Sequence, residues 1–171
     1  MTGVLTIIFS FASYAFVLLA MFRLFRINYF NPIVKIFATY LEPVSKSIFF
    51  FLNPLLSALA LALLLKFVSF YIAYSTGYEP LTLFFISVVD VINSCFRILF
   101  YCVIGSVILS WVAPENNHPL LQIVEEMSGA ILQPIRKFVP PMGGLDFTPI
   151  IGLVLLNLIN TSFIQIISSM V

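Results

Sequence analysis

Charge is what this sequence has least of. Asp, Glu, Lys and Arg make up 9% of its 171 residues, apolar residues 61%, and mean hydropathy is +1.13. A soluble domain carries about a quarter charged residues, because its surface must face water. So sparse a set excludes a soluble globule and makes lipid the solvent of this chain. The formal net charge of +1 supplies no strong global field, so nucleic acid is not an expected partner.

Histidine and cysteine are scarce too. His118 is the single histidine and no CxxC pair occurs, which argues against a metal site built within one chain, and no cofactor is expected. Cys95 and Cys102 stand seven residues apart on one predicted helix. That is about 10 Å along the axis, too far for a disulfide between them. Gly143-Gly144 lacks the lysine and Ser/Thr that a phosphate loop requires. With no catalytic constellation in view, the chain is not expected to be an enzyme.

Long apolar runs are what it has instead. A membrane-crossing helix needs about 20 mostly apolar residues. Four runs qualify, at roughly 4–22, 55–76, 84–112 and 148–170. The first has no basic leader and no small-residue cleavage site after it, so it reads as a retained span. Basic residues then orient the bundle. Arg23, Arg26, Lys35 and Lys46 lie between the first two spans, and Arg136 and Lys137 between the last two. The positive-inside rule puts both segments in the cytoplasm and both termini outside.

The halves resemble each other. A shift of 87 residues aligns Phe9 with Phe96, Tyr14 with Tyr101, Pro32 with Pro119 and Pro54 with Pro141. One integral membrane domain is expected, with repeats at about 1–83 and 84–171. Each repeat holds two spans, so the copies have parallel topology. Between the spans of each lies an amphipathic stretch. In the first, Ile33, Ile36, Phe37, Tyr40, Leu41, Val44 and Ile48 follow 3-4 spacing, opposite Lys35, Thr39, Glu42 and Lys46. In the second, Leu120, Ile123, Val124, Met127, Ile131 and Ile135 do the same, opposite Gln122, Glu125, Glu126 and Gln133. Both are expected to lie in the cytoplasmic interface, apolar face down. Pro32 after Asn31, and Pro119 after His118, suit a first helical turn. Pro43 and Pro134 are expected to kink or end each helix.

Two clusters stand out as candidate sites. The stretch "QPIRKFVPPMGGLDFTP" joins the second amphipathic helix to the last span. In it Arg136 and Lys137 suit anionic headgroups. Pro134 opens it, Pro140 and Pro141 stiffen the chain, Gly143 and Gly144 permit a sharp turn, Asp146 caps the fourth span, and Pro149 falls in its first turn. It reads as an interfacial elbow, with partner docking as the sharper alternative. The other cluster lies within the membrane, where charge is expensive. Asp90, Asn93 and Arg97 share a face of the third span, and the hairpin of spans two and three brings Lys66 toward Asp90. A polar clamp between helices is the expected role, with an ion or proton pathway, or snorkelling to the interface, as the alternatives. Ala58 and Ala62, or Ser106 and Ser110, are spaced for close helix contact.

The elbow with "PIIGLVLL" after it closely resembles the hallmark of the YggT family of small bacterial integral membrane proteins. "NPIVKIF" (Asn31, Pro32), "LEPV" (Pro43) and "FLNP" (Pro54) fit its first half. The first half has "SIFFFLNP" where the second has "PIRKFVPP", so the basic pair is not duplicated. The resemblance implies a bacterial inner-membrane protein of two related halves, acting in organisation or assembly at the membrane, with links to osmotic or potassium homeostasis. A direct haem role, suggested by plastid relatives in cytochrome maturation, does not carry over, since no haem-ligating motif is present. The expected function is therefore a scaffold or assembly factor at the cytoplasmic membrane face. Its partners are anionic lipid headgroups and a membrane protein or a second copy. The alternative is a component of potassium or osmolyte transport.

Overall fold

The computed structural model describes residues 2–112, 118–139 and 146–168, and all of its regular structure is helical. The helices are α1 (Thr2–Leu24), α2 (Pro32–Ile48), α3 (Pro54–Tyr74), α4 (Pro80–Val112), α5 (Pro119–Arg136) and α6 (Thr148–Ser168). Four are long and apolar enough to cross a bilayer, through Gly3–Leu24, Pro54–Tyr74, Pro80–Leu109 and Thr148–Ile167. At 1.5 Å per residue the 33-residue α4 is about 50 Å long, more than a hydrocarbon core of about 30 Å, so it tilts or emerges. The third run thus starts four residues earlier than its apolar pattern implies, at Pro80.

Local chemistry sets the ends. Asn31, Asn53 and His118 cap α2, α3 and α5 by accepting from the amides of Ile33, Leu56 and Leu120, with proline at the first helical position each time. Arg26 takes the left-handed conformation (φ 54°) that closes α1. The Ile27 amide then reaches back to the Phe22 carbonyl, and Ile27 is buried beneath the turn. Neither internal proline ends its helix. α2 continues past Pro43 to Ile48, and α5 closes two residues beyond Pro134.

The core forms where α1 meets α3, the most extensive helix contact in the fold. Phe16, Val17, Leu19 and Met21 pack on Ala58, Leu61 and Ala62, and Val91, Ile123 and Met127 extend the cluster. Ala58 and Ala62 are fully buried, so the small residues of α3 do permit close approach. Three serines seal the seam. Ser13 donates to the Ala62 carbonyl (2.7 Å), Ser69 to the Thr6 carbonyl (3.0 Å), and Ser10 and Ser69 share a hydrogen bond (2.8 Å). A smaller cluster of Val103, Leu132 and Leu156 joins α4, α5 and α6. There α6 comes close to α5, since a Cβ on Gly152 would stand 2.9 Å from Leu132 Cδ2. On its outer face α6 exposes Ile150, Val154, Leu155, Leu158 and Ile159, a surface suited to lipid.

The two connecting helices do not sit alike. α2 leaves Ile36, Tyr40, Val44 and Ile48 exposed in one row, while Ile33, Phe37 and Leu41 pack against the core. On α5, by contrast, Ile123, Met127 and Leu132 are buried and Val124, Ile131 and Ile135 half-buried. Only Leu120 of its expected membrane-facing residues is exposed. The apolar face of α5 is therefore occupied by α4 and α6 rather than offered to the bilayer. Overpacking the main seam tests this arrangement. Ala62→Leu is expected to destabilise the protein by about 1–3 kcal/mol, read as a lowered unfolding midpoint in detergent, whereas Ile150→Leu on the open face of α6 is near neutral.

Candidate functional site

At the end where α1 stops and α3 starts, a carboxylate gathers the connecting segments. Glu42 is buried under α2, not turned to solvent with Lys35 and Lys46 as its helical position suggests. Arg23 at the end of α1 forms an ion pair with Glu42, Lys46 approaches it at 3.0 Å, and the Tyr29 hydroxyl donates to it at 2.9 Å. The Arg23 guanidinium also lies 4.5 Å from the Tyr29 ring centroid. Burial pushes the Glu42 pKa up, but the hydrogen bonds from Arg23, Lys46 and Tyr29 outweigh it and hold it below the ordinary value. Burial raises the Tyr29 pKa, and the Glu42 carboxylate adds to the rise.

Two contacts then cross between the halves of the chain. The Asn28 amide donates to Glu126 (2.8 Å), and the Asn31 side chain donates to the Pro119 carbonyl (2.7 Å). Asn31 thus caps α2 with its oxygen and grips the start of α5 with its nitrogen. Sequence reasoning missed this hub because its partners are far apart in the chain and Glu42 reads as part of a solvated face. The one available signal was four cations, Arg23, Arg26, Lys35 and Lys46, sharing a segment with a lone acid.

The elbow is tied across its base. Arg136 donates to Asp146 through Nη2 (2.9 Å) and Nε (3.2 Å), while Asp146 accepts from the Thr148 amide and hydroxyl to cap α6. Burial raises the Asp146 pKa, and its bonds to Thr148 and Arg136 more than reverse that, leaving it lowered. Lys137 caps the end of α5 and is exposed, and Pro149 lies in the first turn of α6. Pro140, Pro141, Gly143 and Gly144 fall outside the described residues.

Within the spans, Lys66 of α3 and Asp90 of α4 meet at 2.8 Å. The contact is ionic rather than an aligned hydrogen bond, because Asp90 Oδ2 lacks a well-directed donor. The rings of Tyr14 and Phe70 flank the ammonium at 5.1 and 5.0 Å. Asn93 does not join this pair. It accepts from Asn160 of α6 at 3.0 Å, a link between α4 and α6 with no counterpart in the sequence reading. Arg97, on the same face of α4, is exposed beside Asn157 and Asn160. The four polar residues of the sequence cluster thus divide into an ion pair, an amide pair and an exposed cation.

Among the described residues, six helices, four of them candidate spans, define an all-helical, multi-pass membrane protein. The CCB3/YggT family matches residues 85–167. Over 157 residues the chain is 32% identical to the uncharacterized protein PA0392 of Pseudomonas aeruginosa, covering 86% of this chain and 80% of that protein. It is 31% identical over 72 residues to the uncharacterized protein YggT of Escherichia coli, covering 42% of this chain and 38% of that protein. A Haemophilus influenzae protein is 26% identical over 158 residues, with 90% of this chain and 86% of that one covered. The chain belongs to the YggT family. No solved structure matches it.

Two experiments probe these clusters. Asp90→Ala leaves the Lys66 ammonium buried without its counter-charge and is expected to cost about 3–5 kcal/mol, more than Lys66→Met combined with Asp90→Leu. An equal or greater loss in the double variant, read by unfolding in detergent, contradicts the pairing. The second is acid titration. Because the folded-state pKa of Glu42 is depressed, its contribution is complete above the ordinary carboxylate value of about 4.3 and is lost as pH falls through the lower folded value. Glu42→Gln is therefore expected to lower stability at neutral pH and to flatten the acid limb of a stability-versus-pH curve.

Proposed function

We propose that this protein is a non-enzymatic scaffold or assembly factor of the bacterial inner membrane, holding a partner at its cytoplasmic face. The single observation that carries this reading is the joining of the two connecting segments. Asn28 to Glu126 and Asn31 to Pro119 tie the α2 side to the α5 side, and Arg23 with Glu42 fixes both to the end of a span. A transporter has no evident need for such a platform, whereas a scaffold requires one rigid surface.

Chemistry at that end supports the orientation and the lipid contact. Every basic residue except Lys66 and Arg97 lies there, which by the positive-inside rule makes it cytoplasmic, with both termini outside. The exposed row Ile36, Tyr40, Val44 and Ile48 continues into Phe50 and Phe51, bordered by Lys35 and Lys46. That is the surface of a helix lying in the headgroup region of an anionic leaflet. A two-repeat architecture of parallel topology is favoured by α2 and α5, whose first residues stand 87 apart with a capped proline at each start. The segment from α5 to α6 holds 11 residues against five from α2 to α3, so the second elbow is six residues longer than the first. With Arg136 and Lys137 exposed and Phe138 85% exposed, that longer elbow is the preferred docking surface for a membrane protein.

The alternative is a component of potassium or osmolyte transport. Lys66 and Asp90 neutralise each other instead of facing a common route, which favours the scaffold. Photo-crosslinkers at positions 40 and 138, in cells at native expression, test the proposal. Lipid adducts are expected from 40 and a protein adduct from 138. Lipid adducts alone from both positions would argue against a scaffold.

A further inference from the structure

Between α4 and α6 a cleft of about 200 Å³ opens sideways from the bundle. Asn93, Arg97 and Tyr101 line it from α4, and Asn157 and Asn160 from α6. Phe96 and Phe100 form apolar walls beside them. Arg97 and Asn157 are exposed, and Asn160 Oδ1 is buried without a hydrogen-bond partner among the described residues. The nearest spanning carboxylate, Asp90, is held by Lys66, while Glu42, Glu126 and Asp146 have their own contacts at the basic end. Among the described residues no ion pair engages Arg97, and a guanidinium at the edge of the hydrocarbon draws an anion to it.

The depth of the cleft narrows its chemistry. On another side of α4, Cys95 and Leu99 share an apolar cavity with Leu24, the last residue of α1, and Leu55, near the start of α3. Arg97 lies between them in sequence, so it sits at the level where those spans end and Arg23 begins the basic surface. Arg97 lies inside the span Pro80–Leu109, and from there its long side chain snorkels up toward the lipid phosphates. Size points the same way, since one turn of helix, about 10 Å across and 5.4 Å tall, displaces roughly 400 Å³. The cleft admits a phosphodiester and part of its glycerol, not a helix.

We propose that the α4–α6 cleft binds one anionic phospholipid, with the Arg97 guanidinium on the phosphate. The amides of Asn157 and Asn160 and the Tyr101 hydroxyl meet the hydroxyls of the headgroup, and the upper acyl chain lies along Phe96 and Phe100. A rim whose one charged side chain is Arg97 favours a polyhydroxyl headgroup such as glycerol over one that carries its own ammonium. The site is separate from the α2 row and the elbow, and it does not depend on the scaffold reading.

Native mass spectrometry of the purified full chain in mild detergent tests this, with phosphatidylglycerol, phosphatidylcholine and inorganic phosphate as probes. One phosphatidylglycerol per chain is expected to be retained in preference to phosphatidylcholine. Binding is expected to weaken about tenfold in Arg97→Gln, the loss of one charge-assisted contact, and less in Arg97→Lys. Should Arg97→Gln prove misfolded, Asn157→Leu on the opposite wall gives the same readout in a chain that keeps the cation. Three results overturn the proposal. They are unchanged phosphatidylglycerol binding in folded Arg97→Gln, displacement of the lipid by inorganic phosphate, and capture of a protein carboxylate in place of lipid by a photo-crosslinker at position 157.

Discussion

Ala58 and Ala62 on α3 are fully buried against α1, and that close approach lets Ser13 reach the Ala62 carbonyl and Ser10 reach Ser69. The seam is short-range and polar where it must be, because hydrocarbon offers no water to a stranded hydroxyl. It also fixes the height at which Lys66 projects. Held there between Tyr14 and Phe70, the ammonium draws Asp90 and with it the whole of α4 onto the first pair of helices. The position of α4 in turn sets where α5 and α6 pack, through Val103, Leu132 and Leu156.

At the basic end the same constraint acts in a wetter setting. Glu42 is the acid around which Arg23, Lys46 and Tyr29 converge, and its depressed pKa keeps it ionised across the neutral range. The hub links the end of α1 to the middle of α2, and the adjoining loop reaches α5 through Asn28 and Asn31. Two connections that each run between spans thereby become one surface. Exposed aromatic and basic groups are displayed on that surface by a framework whose own charges are largely satisfied.

Much of this was legible in the sequence. The four spans carry their own signal, since an unbroken apolar run of span length has few other fates. The connecting helices announced themselves by 3-4 spacing and by proline after a capping residue at Pro32 and Pro119. The meeting of Lys66 and Asp90 followed from a short hairpin, which places two charges near one depth. Pairings between distant segments were not legible. Asn93 with Asn160 depends on how α6 docks, and periodicity says nothing about that. Glu42 misled for a different reason. A helix wheel sorts residues by polarity, but this carboxylate is buried because its partners come from other segments. The apolar face of α5 raised the same ambiguity, for a lipid surface and a neighbouring helix demand the same residues.

On the reading proposed above, Lys66 and Asp90 hold two spans together and do not conduct. Potassium flux through proteoliposomes of the purified protein tests it most directly, with Lys66→Met and empty vesicles for comparison. The account predicts no flux above empty vesicles for either protein. A potassium flux in the unaltered protein that disappears in folded Lys66→Met would contradict it.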